Sequence, residues 1–129
     1  MTPSAILDTS IFIATEQGRP LGRALPEEVG VSVVTLAELE LGVLMARDSD
    51  TRSQRLATLT RVREQTAGLP ADDRVASAYA RLAAGELANG RKPRVHDTWI
   101  AATAVVHGVE VWTQDADFTA FTAVDVVRV

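Results

Sequence analysis

Five acids of this 129-residue chain stand where strands and helices are expected to meet: Asp8, Glu38, Asp97, Asp115 and Asp117. Asp8 follows the apolar run Ala5-Ile6-Leu7 and precedes two hydroxyls, Thr9 and Ser10, and a second apolar patch. That order reads as a buried strand whose carboxyl end opens onto a helix. Glu38 falls in the first turn of a long helical pattern, Asp97 opens a later one, and Asp115 and Asp117 follow a β-branched run. In open α/β sheets the carboxyl ends of the strands form the ligand-binding edge, so these positions converge there. Carboxylates that close raise one another's pKa unless a cation is bound, and all-oxygen ligands suit a hard ion such as Mg²⁺ or Mn²⁺. None of the acidic motifs contains a Lys or Arg of its own.

Each acid also has a purely structural reading. Asp8 can cap a helix or form a turn, and Thr35-x-x-Glu38 has the form of a capping box. Asp97 can N-cap its helix, and Asp115 or Asp117 can close an Asx turn. The functional reading rests on the repetition of one position, the strand-to-helix junction, rather than on any single residue.

The elements that must position these groups alternate along the chain. The strand Ala5–Leu7 precedes a helix over Ile11–Gln17, broken by Gly18-Arg19-Pro20, and Leu21–Leu25 suggests a further helical turn before Pro26. A β-branched strand over Val29–Val34 leads into a helix over Thr35–Ala46 with Leu36, Leu39, Val43 and Ala46 as its core stripe. Arg47–Thr51 reads as a polar turn, Gln54–Gln65 as an Arg-rich helix, and residues 67–70 as a connector with one short strand. Asp72–Asn89 is the longest helical pattern, with Val75, Ala78, Leu82 and Leu87 apolar and Gly90 as its stop. A basic loop, Gly90 to Arg94, leads to a helix from Asp97 to His107, closed by Gly108. The strand Val109–Thr113, a helical turn at Asp117–Phe121 and the strand Val124–Val129 complete the chain. Strands alternating with helices imply one α/β domain over residues 1–129: a short, mostly parallel central sheet flanked by helices, α/β/α in section.

Composition narrows the class. Hydrophobic residues make up 47% and charged residues 23%, the balance of a globular chain with one core. There is no cysteine, hence no disulfide framework and no thiolate metal site. No secretory leader is visible, and the apolar stretch Ile100–Val106 is far too short to span a bilayer, so a soluble cytoplasmic protein is expected. The net charge of −4 argues against a dedicated nucleic-acid binder, unless the acids are concentrated at a metal site. Twelve of the thirteen basic residues are Arg, whose planar fork suits phosphate and carboxylate alike.

Four ordered segments carry a family resemblance. Leu7-Asp8-Thr9-Ser10, Ala37-Glu38-Leu39-x-x-Gly42, His96-Asp97-Thr98-Trp99-Ile100-Ala101-Ala102-Thr103-Ala104 and Thr113-x-Asp115-x-Asp117-Phe118 resemble the motifs of PIN-domain ribonucleases. Chain length and the form of the second motif resemble the VapC-type toxins of bacterial toxin–antitoxin pairs, over Ala5 to Val129. The resemblance implies a PIN-like domain in which Asp8, Glu38, Asp97 and Asp115 are the catalytic, metal-holding quartet and Asp117 a supporting fifth ligand. Thr9, Ser10 and Thr113 match hydroxyl positions lining the site. The implied reaction is Mg²⁺-dependent hydrolysis of RNA to a 5′-phosphate and a 3′-hydroxyl, with Mn²⁺ able to substitute. The implied partners are an RNA substrate, a VapB-like antitoxin, and a second copy in a homodimer, forming a heterotetramer or larger assembly with antitoxin. His96 replaces the Asn usual in that motif and reads as a surface histidine or one supporting a ligand.

Phosphate contacts are expected from Arg91, Lys92 and Arg94, just ahead of Asp97, or from Arg19 and Arg23. Trp99 and Trp112 read as core or dimer contacts, and His107 as a helix C-terminal residue that the helix dipole explains. Two rivals remain: a PIN-type nuclease of RNA maturation or of structured DNA, and a non-enzymatic acidic receiver-like module. The receiver needs paired acids on its first strand and a late Lys, whereas the one Lys here lies in a loop. A haloacid-dehalogenase-type phosphatase is set aside because Ser10 stands where it needs its second Asp.

Overall fold

A computed structural model describes residues 3–129. Among the described residues five strands form a single sheet in the order β3-β2-β1-β4-β5, every pairing parallel. They are β1 (Ala5–Leu7), β2 (Val29–Ser32), β3 (Ala67–Leu69), β4 (Glu110–Thr113) and β5 (Val126–Arg128). The helices are α1 (Thr9–Glu16), α2 (Val33–Leu44), α3 (Ser49–Gln65), α4 (Asp73–Ala88) and α5 (Val95–His107).

The short apolar runs behave as buried parallel strands because both faces of the sheet are covered. Ala5 and Leu7 join Val31, Leu39, Val43, Leu59 and Trp112 in one core, and Ile6 joins Ile100, Ala101, Val111 and Phe118 in another. Side chains alternate across a strand, so this three-residue β1 feeds both layers. Gly30 allows the sheet to close around it: a Cβ there would stand 2.9 Å from Leu69 Cδ1 and 3.3 Å from the Ala67 carbonyl. The order of strands reverses at β1, since β2 and β3 extend to one side of it and β4 and β5 to the other. Leu7 pairs with Trp112 across this switch, and the Asp8 N–H donates to the Trp112 carbonyl at 2.9 Å. A ligand crevice opens at such a point.

Several element boundaries differ from the sequence reading. β2 stops at Ser32, whose Oγ accepts from the Val34 N–H at 3.1 Å and starts α2 two residues early. Thr35 is therefore fully buried inside α2 rather than capping it, Glu38 stands in the second turn, and the capping box does not form. α3 begins at Ser49, because Asp48 caps it with bonds from the Thr51 N–H at 2.8 Å and the Thr51 hydroxyl at 3.1 Å. α5 begins at Val95, so Asp97 lies within its first turn and is not its cap.

The helical turns expected at Leu21–Leu25 and Asp117–Phe121 are absent. Leu21 and Leu25 pack against the first core from an irregular loop. At Asp115 a turn forms instead, its Oδ1 accepting from the Asp117 N–H at 2.8 Å and its carbonyl from the Phe118 N–H at 3.2 Å. The last strand is shorter than expected, and Val124 packs with α5 instead of pairing in β5. On α4, Leu87 is 63% exposed while Glu86 turns inward. Gly108, at φ +66°, ends α5 in the left-handed conformation that favours glycine. Among the described residues no helix is long and apolar enough to cross a membrane.

Candidate active site

Asp8 sits at the carboxyl end of β1 and is almost fully buried. It occupies the N-cap position of α1, yet its side chain makes no cap bond. Its Oδ2 instead accepts from Ser10 Oγ at 2.6 Å and from Thr113 Oγ1 at 2.8 Å. Those hydroxyls lie 3.1 Å apart and take further bonds, the Gln114 N–H donating to Ser10 and the Asp115 N–H to Thr113. Two strand ends and one helix start thus fix a single carboxylate oxygen, which a capping or turn-forming Asp would not need.

Glu38 reaches the same edge from α2. Its Oε1 accepts from Thr9 Oγ1 at 2.8 Å, and Thr9 in turn lies 3.1 Å from the buried Thr35 hydroxyl. His96 Nδ1, on the first turn of α5, stands 3.3 Å from Glu38 Oε2. The imidazole is mostly exposed and stands between α5 and this carboxylate of α2.

Asp97 completes the buried pair. Its Oδ2 accepts from the Thr119 N–H and the Thr119 hydroxyl, both at 3.1 Å, and lies 3.5 Å from Arg94 Nη1. Burial pushes the Asp97 carboxyl above the usual Asp range and the Asp8 charge adds to this, while Thr119 and Arg94 pull the other way. Asp115 is more open, with its Oδ2 3.9 Å from Arg94 Nη2. Asp117 is exposed and offers its carbonyl to Arg94 Nη1 and its N–H to Asp115.

Arg94 corrects the expectation of acids without a counter-charge. It stands three residues before Asp97 and faces both Asp97 and Asp115. Among the described residues no three His, Asp or Glu side chains stand close enough together to hold a metal ion as they are arranged. The donor chemistry nonetheless suits a hard divalent cation, with carboxylate and hydroxyl oxygens and two of the carboxylates buried, although Arg94 supplies the positive charge beside Asp97 and Asp115 as they stand.

The basic residues divide. Arg91 is held by Glu86, Arg94 by the site acids, and the Arg23 guanidinium lies 4.4 Å over the Trp112 ring. Arg19 and Lys92 are exposed and have no ion-pair partner among the described residues. Trp112 belongs to the core, and Trp99 stacks on Tyr79 with ring centroids 4.2 Å apart. A cleft of about 370 Å³ opens beside Glu38, between α1 and α2, and one of about 460 Å³ lies beside the α4–α5 loop. A cleft of about 430 Å³ near Gly108, lined by Ser4, Glu110 and Asp125, contains none of the four acids.

The PIN domain family matches residues 5–124. The chain is 50% identical to ribonuclease VapC5 of Mycobacterium tuberculosis over 99% of its own length and 98% of that protein's. It is 40% identical to ribonuclease VapC4 of the same organism, over 97% and 96% of the two chains. The chain belongs to the PIN-domain family. Its fold agrees with a crystal structure of VapBC-5 from M. tuberculosis, a member of the VapBC family of toxin–antitoxin systems, with a TM-score of 0.85 at 44% identity, covering 98% of this chain and 100% of that one. Within this PIN domain, Thr119, Thr35 and Glu86 escaped the sequence reading. Thr119 lies 22 residues from Asp97 in irregular chain and carries no local signal. Thr35 was visible only as a cap, and Glu86 was hidden among the exposed charges of an amphipathic helix.

Proposed function

We propose that this PIN domain is the Mg²⁺-dependent endoribonuclease toxin of a type II toxin–antitoxin pair, cleaving RNA to a 5′-phosphate and a 3′-hydroxyl. The observation that carries the reading is the pair of buried carboxylates, Asp8 and Asp97, at the β1/β4 switch point, each fixed through one oxygen by threonine or serine hydroxyls. The VapC relatives, named ribonucleases, support the substrate class. The VapBC-5 likeness supports a VapB-like antitoxin as partner. A homodimer within a larger toxin–antitoxin assembly, and residence in the cytoplasm, belong to the same proposal.

Asp8, Asp97, Asp115 and Glu38 would hold the cation, with Asp117 as outer support. Held there, Mg²⁺ would supply an activated water and a counter-charge for the scissile phosphate. The residues of the chain do the positioning. Ser10 and Thr113 fix Oδ2 of Asp8 so that the carboxylate meets the crevice in one orientation. Thr9 holds Glu38 through Oε1, with His96 Nδ1 3.3 Å from its other oxygen, and Thr119 aims Asp97. Pre-set hydrogen bonds of this kind reduce the reorganisation needed as charge develops.

The test is cleavage of single-stranded RNA by the purified chain, with the product ends identified. Cleavage should require Mg²⁺ or Mn²⁺, stop in EDTA, and leave fragments ligatable through a 5′-phosphate. Products with 2′,3′-cyclic phosphate ends, or cleavage that survives EDTA, would overturn the reading.

A further inference from the structure

Glu86 is a carboxylate with no part in the metal edge, yet the chain covers it almost completely. It lies near the end of α4, and its Oε2 and Oε1 accept from Arg91 Nε at 2.6 Å and Arg91 Nη2 at 3.1 Å. The same two residues are joined through the main chain, the Arg91 N–H donating to the Glu86 carbonyl at 2.9 Å. The Arg91 hydrogen bond holds the Glu86 carboxyl below its usual range. A planar two-bond fork fixes orientation as well as distance. Main chain and side chain therefore both close the turn from Glu86 to Arg91, and the basic loop cannot swing outward without breaking both.

The clamped loop forms one wall of the 460 Å³ cleft. Glu86, Arg91, Lys92, Asp117 and Thr119 line it together with Arg94. Three cations and two carboxylates line it, and Asp97 and Asp115, the partners of Arg94, stand just beyond. Thr119 links the cleft to the acidic edge through its two bonds to Asp97. Of the cations, Arg91 is committed to Glu86 and Arg94 to Asp97 and Asp115, which leaves Lys92 as the unpaired one among the described residues.

We infer that this cleft takes the phosphate backbone of single-stranded RNA beside the cleaved bond. Lys92 makes the phosphate contact, and Glu86 and Arg91 are positioning residues that hold the loop in place. The inference rests on the ribonuclease reading for its substrate class. It differs from a general basic patch in assigning Arg91 to the fold of the loop and not to RNA.

The experiment measures binding of a short fluorescein-labelled single-stranded RNA by anisotropy across a KCl series in EDTA, with kcat and KM for the same RNA in Mg²⁺. Wild type is compared with Lys92→Gln, Arg91→Gln, Glu86→Gln and the Glu86→Gln/Arg91→Gln double variant. One lost phosphate contact on a single strand reduces the salt slope by about 0.7, so a fourfold rise in KCl should weaken Lys92→Gln about 2.6-fold less than wild type. KM should rise for Lys92→Gln while kcat stays within about twofold, as for a contact made equally in ground and transition state.

Arg91→Gln and Glu86→Gln should each weaken binding and lower the salt slope by no more than Lys92→Gln does, because both act through the loop that carries Lys92, and the double variant should be no worse than either. Lys92 is exposed, so its variant tests the cleft even if a clamp variant fails to fold. An unchanged slope in Lys92→Gln, or a loss in Arg91→Gln that Glu86→Gln does not share, as a direct Arg91 contact requires, would overturn the inference. Binding that depends on Lys92 without any cleavage in Mg²⁺ would support the cleft and overturn the ribonuclease reading alone.

Discussion

Replacing Arg94 by Gln should make the metal-free protein less stable and its affinity for Mg²⁺ higher. Arg94 lies 3.5 Å from Asp97 and 3.9 Å from Asp115, and its side chain is 52% exposed. Half-exposed ion pairs of this kind contribute about 0.5 kcal/mol each after solvent screening. The bond to the Asp117 carbonyl adds about 1 kcal/mol, for a total loss of about 2 kcal/mol. A chain of 129 residues unfolds with an entropy of about 0.27 kcal/mol/K near its midpoint, so 1 kcal/mol moves Tm by about 4 °C. Arg94→Gln should therefore melt about 7 °C below wild type at pH 7 in EDTA.

If the proposed cation binds these carboxylates, it should displace the two ion pairs, worth together about 1 kcal/mol. The variant lacks that cost, and its Kd for Mg²⁺ should be about fivefold lower. Saturating Mg²⁺ near a hundred times Kd stabilises wild type by about 2.7 kcal/mol, or about 10 °C. At the same Mg²⁺ the variant gains more, and the gap in Tm should close by about half. Differential scanning fluorimetry over an Mg²⁺ series reads all three quantities. Weaker Mg²⁺ binding by Arg94→Gln, or a Tm gap that Mg²⁺ does not change, would refute the view that the guanidinium and the cation serve the same carboxylates.

Asp97→Asn should alter how stability depends on pH in EDTA. The folded pKa of Asp97 is raised, so its contribution is fully present below the usual Asp value and is lost as pH rises through the folded pKa. Because Asn does not titrate, Tm of the variant relative to wild type should climb through that window; a constant or falling difference would contradict burial as the cause of the shift. Gly30→Ala places a Cβ 2.9 Å from Leu69 Cδ1 and 3.3 Å from the Ala67 carbonyl, and the backbone atom cannot yield as a side chain can. Overpacking of this kind costs about 1–3 kcal/mol, so thermal melts should show Tm lower by about 4–11 °C.

The acids were legible in the sequence because each ends a local pattern: an apolar run before Asp8, a β-branched run before Asp115, a helical stripe around Glu38. Period and polarity carry that information over a few residues, which is also why the parallel α/β arrangement could be read. What holds the acids was not legible. The bonds from Thr113 to Asp8 and from Thr119 to Asp97 join residues 105 and 22 positions apart, and they depend on strand order and loop path.

Arg94 is close in sequence to Asp97 but stands in a basic loop, and it meets Asp97 because α5 starts at Val95 and brings the two within one turn. The same two-residue error in a helix start moved Thr35 from a cap to the interior. Of the five basic residues expected to face RNA, Arg91 and Arg94 proved to be committed to carboxylates and Arg23 to the Trp112 ring, a distinction that composition cannot make.

If Asp8, locked by Ser10 and Thr113 at the switch point, holds the cation that RNA hydrolysis needs, its loss should all but stop cleavage. Single-turnover cleavage by wild type and Asp8→Asn at saturating Mg²⁺ tests it most directly, with circular dichroism confirming the fold of both. Loss of a metal-holding carboxylate removes several kcal/mol of charge stabilisation, so the rate should fall at least about a hundredfold. A folded Asp8→Asn that cleaves within about threefold of wild type would contradict the account.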